Sequence, residues 1–191
     1  MPVLLITPPA LEPVLLAEAK AHLRIDSGDD DDYLAAMITA ARMQVETAIR
    51  RVLIDQTWRV WRDDWPGDGR LTLPVAPVRS IAEIVVYDAD GRPETLPPAA
   101  WTLDAASVPA RLVFTTPPPA RLRRMNGLEI DLVAGYGPSG IDVPQPLRLA
   151  IMILVARWYE NREGYAYGVV PSSIADAFEA LVAPHRIRRL T

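Results

Sequence analysis

Ten of the nineteen prolines fall between Pro66 and Pro119, and this crowding constrains the fold more than any other feature. Proline removes a backbone donor and clashes with the preceding turn of a helix, so this stretch cannot hold long helices. On either side of it the apolar residues recur at helical spacing. The pattern predicts an α+β chain in which a Pro-rich antiparallel β unit is inserted between helical segments.

The chain reads in order as follows. Residues 1–13 read as an extended arm with three prolines near its end, and Val14–Leu23 reads as a short helix with Leu16, Ala19 and Leu23 on one face. Arg24–Gly28 reads as a turn. Asp29, Asp30, Asp31 and Asp32 then open a long helix to about Val52, with Leu34, Met37, Ile38, Ala41, Val45, Ala48, Ile49 and Val52 at helical spacing. Acids at its start and Arg50 and Arg51 at its end complement the helix dipole. Four adjacent aspartates also raise divalent-metal binding. They miss the EF-hand spacing, however, and successive helical side chains point in different directions, so a solvated helix start is the better reading.

From Leu53 the period changes to that of strands. Trp58, Val60 and Arg62 alternate with Arg59 and Trp61. Further strands are expected at Arg70–Leu73, Ile81–Tyr87, Trp101–Leu103, Arg111–Thr115 and Leu128–Ala134, with a hairpin turn at Asp90-Gly91. Turn signals about every ten residues fit a small β-sandwich or barrel. Trp58, Trp61 and Trp65 lie close together in sequence. They could form a stacking platform for a glycan or peptide, or the aromatic packing of a small sheet; packing is favoured because aromatics supply much of a small core's burial.

Gly135-Tyr136-Gly137-Pro138-Ser139-Gly140 matches the dinucleotide fingerprint G-x-G-x-x-G literally. That motif works only where the last glycine opens directly into a helix within a βαβ unit. Here residues 141–146 intervene, and no strand follows the helix. The expected role is a turn whose glycines adopt positive φ, and no cofactor is expected. After it, Pro144 or Pro146 starts a helix to about Asn161. Leu147, Ala150, Ile151, Leu154 and Trp158 line one face, and Leu149, Met152, Ile153 and Ala156 occupy much of the rest. A helix apolar nearly all round is covered on several sides, in a domain centre or between subunits. Residues 164–170 read as a loop, and Ser172 or Ser173 as the cap of a last helix, Ile174–Ala183, using Ile174, Ala177, Phe178 and Leu181. The tail carries Arg186, Arg188 and Arg189. The domains expected are therefore 1–52 with 141–191, a helical bundle of about four helices, and the inserted β unit 53–140.

Composition excludes several kinds of chemistry. There is no cysteine and there are only two histidines, His22 and His185. Disulfides, thiolate metal sites and cysteine nucleophiles are ruled out, and no metal or catalytic residues are expected. A net charge of −4 argues against nucleic acid as a tightly held surface partner. The longest apolar run, Leu149–Ala156, has eight residues, where a membrane span needs roughly 20. No signal peptide is expected, since the start lacks a basic region, and synthesis in the cytoplasm follows. Lys20 is the single lysine beside nineteen arginines, which fits a GC-rich genome.

The order of LAEAKAHLRID (Leu16–Asp26), the acid-started helix, LIDQTW (Leu53–Trp58), LPVAPVRSIAEIVVYDADG (Leu73–Gly91), VAGYG (Val133–Gly137) and VPQPLRLAIMILVARWYENRE (Val143–Glu163) resembles the head–tail connector (adaptor) family of tailed phages and related gene transfer agents. The resemblance spans about residues 10–165. It implies a structural virion protein, not an enzyme. Such a protein is made in the bacterial host and forms a ring of typically twelve subunits beneath the portal. DNA passes through the ring, and head-closure or tail proteins lie beyond it. The acidic end (Asp26–Asp32) and the basic end (Arg186–Arg189) offer head-to-tail contacts that close into a ring where the rotation fits; the basic tail could instead grip the portal. Asp29, Asp30, Asp31, Asp32, Trp158, Tyr159, Arg186, Arg188 and Arg189 are the interface residues expected. The competing function is a ligand-binding module built on the tryptophan-rich β unit.

Overall fold

A computed structural model of the chain describes residues 1–117, 121–161 and 172–187, the side chains of 172–174 excepted. The chain is α+β, with four α-helices and antiparallel sheets among the described residues. It divides into two compact units, 1–10 with 55–136 and 11–54 with 137–191.

The first unit is all β. Its larger sheet has the order β1 (Val3–Thr7), β2 (Gln56–Arg62), β8 (Leu128–Ala134), β4 (Val78–Tyr87) and β5 (Pro93–Thr95). Every neighbouring pair is antiparallel. β8, the last strand in sequence, sits in the middle and pairs along its whole length with β2, from Gln56↔Ala134 to Arg62↔Leu128. Alternation does what the sequence pattern predicts: Val60, Ile84, Val86, Leu128, Ile130 and Leu132 are all buried. The β4–β5 hairpin turns at Asp88–Arg92, where the Asp88 carboxylate accepts the N–H groups of Asp90 and Arg92 and Gly91 takes φ +82°. β3 (Arg70–Thr72), β7 (Arg111–Phe114) and β6 (Trp101–Asp104) form a second sheet in that order, burying Leu71, Leu112 and Phe114.

Two strands depart from expectation. The segment 1–13, expected as an arm of the helical domain, instead supplies β1, paired Val3↔Val60, Leu4↔Arg59 and Leu5↔Trp58. Its run VLLIT reads as extended but has no polar–apolar alternation, and its partner lies far along the chain, so local pattern does not show that it joins a sheet. Pro93–Thr95, which follows the expected hairpin turn but is not among the expected strands, pairs with β4 as β5.

The second unit is helical. α1 (Leu16–Leu23) begins where the Leu15 N–H donates to Glu18 Oε2 at 2.9 Å and ends at Arg24 in the left-handed conformation. α2 (Asp31–Ile49) carries Asp31 and Asp32 in its first turn and stops at left-handed Arg50. α3 (Gln145–Glu160) starts just after Pro144, and α4 (Ser172–Val182) runs into a single 3-10 turn, Ala183–His185. α3 packs against α1, α2 and α4 and buries Leu147, Ala150, Ile151, Leu154 and Val155. It is the centre of this unit, as its apolar breadth implied. On α4, Val182 is fully buried and Phe178 and Leu181 are half-buried, while Ala177, expected on the inner face, is exposed.

Candidate assembly surfaces and the glycine-rich turn

The glycine motif is a packing feature. Gly135 takes φ +152° and donates its N–H to the Pro77 carbonyl at 2.9 Å. Gly137 and Gly140 have ordinary φ, contrary to the positive φ expected of the motif's glycines, and are small for a different reason. A Cβ on Gly137 would strike the Asp142 side chain, and one on Gly140 would lie 2.6 Å from the Pro13 carbonyl oxygen. Gly140–Asp142 forms its own 3-10 turn, so the fingerprint does not open α3. The space a pyrophosphate needs beside these glycines is taken by Asp142 and Pro13.

The segment 11–15 is held to the helices by two ion-pair clusters. Arg42, on α2 and 7% exposed, donates from Nε to Glu12 Oε2 and from Nη1 to Glu46 Oε2, both at 2.8 Å. Glu46 Oε1 also accepts the Leu53 N–H at 2.8 Å. Arg148, on α3, donates to the Pro13 carbonyl at 2.9 Å and to Glu18 Oε1 at 2.6 Å. The Arg148 hydrogen bond, with the Leu15 N–H, holds the Glu18 carboxyl below its usual pKa.

The acidic run is split in its contacts. Asp30 Oδ2 accepts the Tyr159 hydroxyl at 2.7 Å, and Asp31 pairs with Lys20 at 2.6 Å. Asp29 and Asp32 are exposed. The structure thus joins Asp30 and Tyr159, two residues chosen separately from sequence. Trp158 is half-buried on α3. Arg186 donates to both Glu179 carboxylate oxygens, at 2.8 and 3.0 Å, and to the Ala48 carbonyl at 2.9 Å. Arg188 and Arg189 lie outside the described residues, as do the 164–170 loop and the side chains of Ser172, Ser173 and Ile174. Among the described residues no group of three or more His, Cys, Asp or Glu could hold a metal ion. No helix among them is long and apolar enough to cross a membrane.

The tryptophans do not share a face. Trp58 and Trp61 sit opposite Leu132 and Glu129 on opposite sides of the sheet, and Trp65 stacks at a tilt on Phe114 with ring centroids 4.2 Å apart. Trp61 belongs to a polar network that local sequence reading missed. Arg59 makes two hydrogen bonds to Asp131, both 2.7 Å, and an ion pair to Glu129 at 3.0 Å. Glu129 Oε2 accepts the Trp61 Nε1–H at 2.8 Å and the Tyr87 hydroxyl at 3.4 Å. Arg123 lies 3.9 Å over the Tyr87 ring. The Asp131 hydrogen bonds raise the pKa of Arg59. Burial, and then the Glu129 charge, raise that of Tyr87. The signal was the acid–apolar–acid pattern of Glu129 and Asp131 on a strand that alternates in register with Arg59 and Trp61. A cavity of about 320 Å³ nearby is lined by Asp63, Asp64, Trp65 and residues 121–124.

What most of these features share is cohesion: they tie strands, helices and turns to one another within a unit. The family model described as phage gp6-like head-tail connector protein matches residues 14–96. Among solved structures, the neck of an empty gene transfer agent particle, computed with C6 symmetry, matches at 28% identity and TM-score 0.81. The neck of a native particle, computed with C12 symmetry, matches at 27% and 0.74, and the virion of a native particle at 25% and 0.79. In each case the match covers 100% of this chain and 98% of the other. No curated protein matches. The chain is thus similar to phage head-tail connectors over residues 14–96 and to gene transfer agent necks over its whole length, and these similarities support a structural connector role rather than an enzymatic one.

Proposed function

We propose that this protein is the adaptor subunit of a virion neck: twelve copies form a ring under the portal, join capsid to head-closure and tail proteins, and surround the channel through which DNA passes. The observation that carries this reading is the match to a neck particle over the whole chain at TM-score 0.81. The C6 and C12 symmetries of the matched necks support a closed ring of identical subunits. The net charge of −4 suits a wall that DNA must slide past, because phosphate contacts with arginine and lysine create binding and drag. We further read the four helices as a bundle, the two sheets as a sandwich, and the β unit as an insertion into the helical domain. The protein is made in the host cytoplasm and ends in the virion.

Asp29 and Asp32 remain exposed for a neighbour or the portal, with half-buried Trp158 on the same helical unit. Asp30, Asp31, Tyr159 and Arg186 already have partners within the subunit, so they contribute to an interface by shaping it. Arg188 and Arg189 of the tail complete the proposed surface.

The test is genetic and visual. Cells that lack this protein should accumulate filled heads without tails, and supplying the chain in trans should restore tailed particles. Mixed with portal, the purified protein should show twelvefold rings in electron micrographs. Normal tail attachment in its absence would overturn the proposal.

A further inference from the structure

The larger sheet has two unlike edges. At one edge stands β5, three residues long, containing Pro93 and Glu94 and preceded by Arg92. Shortness, proline and charge are the usual means of keeping an edge from pairing with another chain. At the other edge stands β1, five residues long, with no proline or charge within it, although Pro2 precedes it and Pro8 and Pro9 follow it. Every residue of β1 is exposed, including Val3 at 38%, Leu4 at 50%, Leu5 at 38% and Ile6 at 43%. No charged residue occurs before Glu12. β2 covers one side of its backbone; among the described residues no strand pairs with the other side, which is a row of peptide groups between two aliphatic faces. Left in water, such a strand is an aggregation site.

We propose that β1 is a subunit contact: the adjoining copy of this chain covers its free edge and both of its aliphatic faces. The inference rests on the ring function proposed above. A subunit in a ring has two flanks that must be unlike, because like-on-like pairing about a twofold axis stops at a dimer. A sheet with one blunted edge and one open edge has that polarity built in. β1 therefore meets a surface other than the neighbour's β1, and strand addition supplies main-chain hydrogen bonds while the leucines supply apolar burial.

The chain has no cysteine, so Leu4→Cys and, on the opposite face, Leu5→Cys each introduce a unique thiol. Both replace side chains that contribute little to the subunit's own core, and assembled particles carrying either one are the material for the test. We expect maleimide to label either thiol about tenfold or more slowly in intact particles than in dispersed subunits. A benzophenone attached to the Leu4→Cys thiol should, on illumination, join two copies of this chain. Hydrogen exchange of the β1 amides in the unmodified protein, slowed on assembly, gives the same readout without substitution. Equal labelling in ring and subunit overturns the inference, as does protection with cross-links only to another virion protein. Direct thiol-to-thiol linkage between two Leu4→Cys chains also overturns it, because it reports twofold β1–β1 pairing. Rings in which β1 stays reactive defeat this inference alone; a protein that never enters rings defeats the ring function as well.

Discussion

The Tyr159 hydroxyl, in the last turn of α3, donates to the Asp30 carboxylate at the start of α2 at 2.7 Å. The bond links the end of one helix to the beginning of another. Tyr159→Phe keeps the ring and removes the donor. Loss of a hydrogen bond to a charged acceptor should cost roughly 1 to 2 kcal/mol, read as a lower urea midpoint with the slope unchanged.

Arg42 stands between Glu12 and Glu46 with its side chain 9% exposed. Arg42→Ala strands two carboxylates beside the helical core. The expected loss is about 3 kcal/mol. Urea melts of the variant and the parent at pH 7 check it.

Ser107, and then Arg111, hydrogen-bond to the Asp104 carboxylate and lower its pKa from 3.8 to about 2. A carboxylate with a depressed folded-state pKa stabilises the fold fully above pH 3.8, and that contribution is lost as pH falls towards 2. Asp104→Asn should therefore melt below the parent at pH 6, and the gap should close between pH 4 and pH 2. A gap independent of pH would show that the charge is not the stabilising element.

Gly140→Ala should lower the melting temperature, because the new Cβ meets the Pro13 carbonyl oxygen at 2.6 Å, the same oxygen that accepts from Arg148. A cost of about 1 to 3 kcal/mol is expected for such overpacking against backbone. Gly67→Ala, where a Cβ meets nothing within 4 Å, is the matched control and should be close to neutral.

What the sequence disclosed followed from periodicity. α2, α3 and β8 were legible because their apolar residues recur at 3.6 or at 2, and the strand β8 was bounded without error. β1 was legible only as an extended arm, because five residues without alternation do not mark a face, and the distant β2 makes them a strand. The glycines of 135–140 were legible as a turn, yet the reason for two of them, the nearness of Asp142 and Pro13, depends on residues brought together by the fold. The same holds at the candidate surface. Acids at a helix start announce themselves, whereas the capture of Asp30 by Tyr159 and of Asp31 by Lys20 needs the tertiary structure.

The helical unit is made of two stretches of chain separated by nearly the whole β unit, and β8 enters its sheet last of all. On the ribosome, α1 and α2 emerge well before α3. Leu34, Ile38 and Val45 must therefore wait, uncovered, while the intervening strands are synthesised. The sheet in turn cannot close until residue 134 has left the exit tunnel. The β unit completes first, while the helical unit still lacks α3 and α4, so α1 and α2 are exposed to misassociation for most of the chain's synthesis.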